Sequence, residues 1–113
     1  MRLGFPEREA NMENDTLTGA QKKYLRGLGQ RLDPALKLGK SKLTPTFLSE
    51  LQLQLRAHEL VKIRFLGIER SERTALCDQI AIEGRCHFIS TVGHTALFYR
   101  EHADPEQRAL DRD

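Results

Sequence analysis

The stretch Leu36-Lys37-Leu38-Gly39-Lys40-Ser41-Lys42-Leu43-Thr44-Pro45 constrains the fold of this chain more than any other. It reads as a short apolar strand, a tight loop bearing Lys40 and Lys42, and a helix start. Thr44 is suited to cap that helix, and Pro45 to its first position, where a missing N–H costs nothing. A helix start offers unpaired backbone N–H groups and a partial positive charge to an anion. Two lysines beside it make a phosphate cradle. No nucleophile or acid–base pair accompanies the unit, so it points to a module that grips nucleic-acid backbone and not to an enzyme.

Periodicity extends the pattern in both directions. Thr18-x-x-Gln21 is a capping box, and it predicts a first helix with Tyr24, Leu25 and Leu28 as its apolar stripe. Gly27 and Gly29 weaken the end of that helix. Leu36 to Leu38 form a short strand. The second helix runs from Pro45 to about His58 on the stripe Phe47, Leu48, Leu51 and Leu55. Its run Leu51 to Leu55 also alternates, which leaves a strand as the competing reading.

Leu60 to Leu66 alternates over Val61, Ile63 and Phe65, with Lys62 and Arg64 opposite, which suits an antiparallel or edge strand. A third helix is expected over Ser71 to Glu83, capped by Ser71, stopped by Gly84, with Leu76, Cys77 and Ile80 inward. Strands Cys86 to Val92 and Thr95 to Arg100 follow, joined by Gly93-His94 as a two-residue turn. Phe98 and Tyr99 are adjacent in the last strand, so one is expected in the core and the other outward. The order α-β-α-β-α-β-β implies an α+β open sandwich with a four-stranded mixed sheet.

Composition narrows the class. The chain has 113 residues, 39% hydrophobic and 30% charged, which suits one soluble globular domain. No apolar run approaches the roughly 20 residues that cross a bilayer. Residues 1–16 hold Glu7, Glu9, Glu13 and Asp15 and no apolar signal region, so a cytoplasmic location is expected. Met12 offers a second candidate start. Cys77 and Cys86, with His58, His87 and His94, fit no standard zinc spacing, and reduced thiols are expected. No cofactor, metal, membrane or small-molecule substrate is called for, and a monomer is expected.

The net charge of +2 conceals a sharper division. Residues 1–16 carry a net −2 and residues 101–113 a net −3, and both read as acidic tails. Residues 17–100 carry 14 basic and 7 acidic side chains, a net +7. Between positions 22 and 42, seven cations face the single acid Asp33. That is the electrostatic footprint of a polyanion binder.

Four segments together carry a resemblance: Gln21-Lys22-Lys23-Tyr24-Leu25-Arg26-Gly27-Leu28, Leu38-Gly39-Lys40, His58-Glu59-Leu60-Val61-Lys62, and Gly93-His94-Thr95 through Leu97-Phe98-Tyr99-Arg100. In order and spacing they resemble the CRM domain, the chloroplast RNA splicing and ribosome maturation family, in its bacterial single-domain YhbY-like form. The resemblance covers about Leu17 to Arg100. It implies a fold related to the C-terminal domain of translation initiation factor 3, RNA binding, and association with ribosomal RNA of large-subunit precursors. It also implies a Gly-x-x-Gly loop like the one that clamps backbone in KH domains. Here Gly39 matches and Lys42 replaces the second glycine. The family's hairpin turn carries Arg or Lys where this chain has His94, so charge at that turn would depend on pH.

The candidate RNA contacts are therefore Lys22, Lys23, Arg26, Lys37, Gly39, Lys40, Ser41, Lys42, Lys62, Arg64, His94 and Arg100. Tyr24 lies on the apolar stripe and reads as core before it reads as a base platform. Lys62 and Arg64 read equally as cations that solubilise a strand face, and Arg100 as a strand end. The competing function is a protein-interaction module whose basic face meets an acidic partner.

Overall fold

Thr18 starts the first helix as its spacing predicts. In the computed structural model, which describes residues 17–40 and 43–110, α1 spans Gly19–Gly29. The Gln21 N–H donates to Thr18 Oγ1 at 3.0 Å, and the Thr18 N–H donates to Gln21 Oε1 at 2.9 Å. The second helix, α2, spans Pro45–Ala57, and its Phe47 N–H donates to Thr44 Oγ1 at 3.0 Å. A third, α3, spans Arg70–Gly84, one residue longer at each end than the spacing suggests. Its N-cap is Glu69, not Ser71, and no side chain caps it. The chain then reverses at Arg85, in the left-handed region at φ 56°. The N-terminal segment 1–16 with Met12, the loop residues Ser41 and Lys42, and residues 111–113 lie outside the described residues.

The strands are β1 (Leu36–Leu38), β2 (Leu60–Phe65), β3 (His87–Val92) and β4 (Thr95–Tyr99). They form one mixed sheet in the order β1-β2-β4-β3. β1 runs parallel to β2, and β4 is antiparallel to both β2 and β3. β2 is thus an interior strand and not an edge, with an antiparallel neighbour on one side only. Gly93, at φ 59°, opens the β3–β4 turn, where only glycine adopts the backbone freely. The β3–β4 register slips between Phe88 and Ser90, and the extra residue Ile89 is buried.

Helices cover both faces of the sheet. Leu51, Leu55, Leu76 and Ile80 from α2 and α3 pack on Val61, Ile63, Phe65, Ala96 and Phe98. Leu17 and Leu25, at and within α1, pack on Ile89, Leu97 and Tyr99 from the opposite side. Phe98 and Tyr99 are accordingly both 0% exposed, so neither points outward. Tyr24 is 52% exposed and is not part of the core. The buried line of α1 runs through Leu25 and Gly29.

The polar segment after Arg100 stays on the domain. The buried carboxylate of Glu59 accepts the His102 N–H at 2.7 Å and the Ala109 N–H. Pro105–Gln107 form a single 3-10 turn, and Leu110 is buried with Leu17 and Tyr99. Residues 101–110 therefore do not behave as a free tail.

Cys77 and Cys86 are both buried free thiols. Burial pushes the Cys77 thiol up to about 11, with Asp78 adding to the rise and Arg73 opposing it. Burial pushes Cys86 up to about 12, with Arg100 opposing. Unfolding would return both to the ordinary value of 9.0, so the native state holds these protons more tightly. Stability is then insensitive to both thiols below about pH 9 and falls as pH rises from there through the native values. At pH 8 a thiol reagent should modify neither cysteine faster than the protein opens, and both at once in denaturant; rapid native labelling would contradict this burial.

Candidate nucleic-acid interface

The cations of α1 sit away from its buried line. Lys23 and Arg26 are exposed and Lys22 is half-buried. Side chains three and four apart on a helix are neighbours, so the three form one cluster. α1 can lie close to the sheet because Gly29 has no side chain. A Cβ there would stand 2.5 Å from Leu97 Cδ2.

Strand alternation supplies more cations on the same side. Leu36 and Leu38 of β1, and Val61, Ile63 and Phe65 of β2, point into the α2–α3 core. Lys37, Lys62 and Arg64 therefore point to the α1 face. Lys37 lies opposite Arg64, and Lys62 opposite Leu97, the residue beneath Gly29. Lys37 and Arg64 are exposed, and Lys62 is half-buried. Two cations side by side on neighbouring strands repel, and an anion resting against both would relieve that repulsion.

A second group gathers at the end of the sheet where β1 and β2 both finish. The Leu66 N–H donates to the Leu38 carbonyl at 2.9 Å, tying the two exits together. The Lys40 stem lies over Gly67, where a Cβ would meet Lys40 Cε at 3.3 Å. The Phe65 N–H donates to the His94 carbonyl at 2.7 Å, and Arg73 Nη1 of α3 donates to the Gly93 carbonyl at 2.7 Å. Gly39, Lys40 and His94 are thereby brought to one end, next to the start of α2. Ser41 and Lys42, between Lys40 and that start, lie outside the described residues.

Arg100 stands at the opposite end and is engaged with the fold. Its Nη2 donates to Gln52 Oε1 and to the Gly84 carbonyl, each at 2.6 Å, and its Nε donates to the Arg85 carbonyl at 3.2 Å. Desolvation lowers its pKa, and Arg56 and Arg85 add to that, while Cys86 opposes it. These bonds satisfy carbonyls at the end of α3 and engage three of the five guanidinium N–H donors.

The geometry can be set beside known proteins. The sequence profile of the CRS1 / YhbY (CRM) domain matches residues 17–100. The chain belongs to this family. A protein of Pseudomonas aeruginosa named "Probable RNA-binding protein" is 35% identical over 91 residues, which is 80% of this chain and 88% of that one. An "RNA-binding protein" of Haemophilus influenzae is 34% identical over 85 residues, 75% of this chain and 86% of its own. The solution structure of hypothetical protein SAV1595 from Staphylococcus aureus superposes with a TM-score of 0.75 at 26% identity, covering 85% of this CRM-domain chain and all of that one. The α+β architecture with its four-stranded mixed sheet is thus the fold of a solved relative.

Several positions that shape the interface escape a reading of the sequence. Arg73 braces the hairpin turn from 20 residues away, and Gln52 joins α2 to Arg100 and to the end of α3. Both act through contacts distant in sequence, which leave no local signal. Tyr24 was legible as an aromatic but not as an exposed one.

Proposed function

We propose that this CRM-domain protein is a non-catalytic RNA-binding protein that acts in ribosome assembly, on ribosomal RNA of large-subunit precursors. One observation carries the reading. Lys22, Lys23 and Arg26 of α1 share a side of the molecule with Lys37, Lys62 and Arg64 of the sheet. The names borne by the relatives and the net +7 of residues 17–100 support its RNA-binding part.

The mechanism follows from charge and shape. A cationic face captures the phosphate backbone with little dependence on base sequence, and the loop at Gly39 and Lys40 adds contacts at the sheet end. Most of the affinity is then ionic and falls steeply with salt. Titration with total RNA should give a log–log salt slope of several units, about 0.7 to 0.9 per phosphate contact. In cell extracts at low salt the protein should co-sediment with large-subunit precursors. Protein confined to the top of the gradient, with a flat salt dependence in vitro, would overturn the assignment. Salt-sensitive capture by acidic proteins but not by RNA would favour a protein-interaction module instead.

A further inference from the structure

Two glycines of α1 have different explanations. Gly29 is required by the fold, since any side chain there would strike Leu97. Gly27 is not: it is exposed, and a Cβ built on it meets nothing within 4 Å. It sits in the last turn of α1, still within the helix, where glycine is a poorer helix former than any residue but proline. No contact inside the described molecule accounts for that cost. Three residues before it, on the adjoining helix surface, stands Tyr24, 52% exposed. Arg31 follows one turn after Gly27 and is also exposed. From Leu17 to Leu32 the chain holds Lys22, Lys23, Arg26 and Arg31 and no acidic residue.

An exposed ring beside bare backbone, among cations alone, matches the chemistry of an unpaired nucleotide. The ring offers a stacking face to a base, and the cations meet the phosphates on either side. The missing side chain lets the sugar and base lie close against the helix. We propose that an unpaired base of the bound RNA stacks on Tyr24, with its nucleotide seated over Gly27. This rests on the RNA-binding reading above and specifies it: the ligand includes a single-stranded element and not duplex alone. An acidic protein partner would match the cations but has no need of the bare surface at Gly27.

The test uses the full chain with two probes, a single-stranded oligoadenylate and inorganic polyphosphate, the second a polyanion without bases. The chain has two tyrosines and no tryptophan, and Tyr99 is fully buried beyond a ligand's reach, so a change in tyrosine emission that is present in the parent and absent in Tyr24→Phe reports contact at Tyr24. Oligoadenylate should quench that emission and polyphosphate should not. Tyr24→Ala should weaken oligoadenylate binding about tenfold or more, the scale of one stacked base, with the salt slope and polyphosphate affinity unchanged. Tyr24→Phe should restore it. Gly27→Ala should raise the melting temperature, as alanine does in a helix, yet weaken oligoadenylate binding.

Parent-like oligoadenylate binding by Tyr24→Ala and Gly27→Ala would overturn the stacking site. It would leave the RNA-binding reading standing if charge reversal on α1 still abolishes binding. Equal losses on both probes would also overturn it, since Tyr24 would then act on charge or fold. Binding to duplex RNA but not to oligoadenylate would do the same, and binding to neither RNA form would remove the parent reading along with it.

Discussion

Reversal of Lys22, Lys23 and Arg26 to Glu together is expected to reduce RNA affinity by more than about a hundredfold at moderate salt, and to lower the salt slope by about 2 to 3. The three side chains form one cluster on α1, so the substitution removes three phosphate contacts and puts repulsion in their place. The fold should survive. Lys23 and Arg26 are exposed and Lys22 is half-buried, and surface changes of this kind usually stay within about 0.5 kcal/mol each. Acids at positions 22 and 23, in the N-terminal half of α1, complement its dipole, and one at position 26, in the last turn, opposes it, so the dipole effects largely cancel. Arg56→Glu, at the far end of α2, gives the effect of one charge reversal away from α1, against which a third of the triple variant's loss in log affinity is compared. A folded triple variant that binds like its parent would remove α1 from the interface, and an equal loss per reversed charge in the control would reduce the site to bulk charge.

What the sequence disclosed depended on how local the physics was. Caps are side chain to backbone bonds across three residues, so Thr18 with Gln21, and Thr44 with Pro45, marked their helix starts correctly. Gly93 marked its turn because φ > 0 is a property of one residue. α1 misled for a definable reason. A stripe drawn through large apolar residues took in Tyr24, but the line against the sheet runs through Leu25 and Gly29, and a glycine carries no hydrophobic signal. Arg100 read equally as a phosphate contact and as a strand end, because Gln52 and Gly84, which hold it, lie 48 and 16 residues away. The docked segment 101–110 escaped for the same reason, since Glu59 is 43 residues from His102. Charge was legible throughout. Its arrangement over helix, sheet face and loop needed the topology.

The sheet's two covered faces lead to the largest stability effects expected. Phe98 and Tyr99 are neighbours in β4, yet Phe98 packs with Phe88 at 5.7 Å between ring centroids in the α2–α3 core. Tyr99 stacks with His87 at 6.1 Å on the α1 side. If helices cover both faces, Phe98→Ala and Tyr99→Ala should each cost about 3–5 kcal/mol, the usual loss for a buried aromatic. A sheet with one wet face would instead show one large cost and one within about 0.5 kcal/mol of zero. Small domains hold only about 5–15 kcal/mol in all, so either variant should be marginal and the double variant unfolded. Urea unfolding followed by circular dichroism decides the matter, provided the m-value is unchanged. Phe98→Leu should lose far less, because it keeps most of the volume in place. A cost under about 1 kcal/mol for Tyr99→Ala would mean that α1 does not seal that face, and the cationic surface built on α1 would then lack its rigid support.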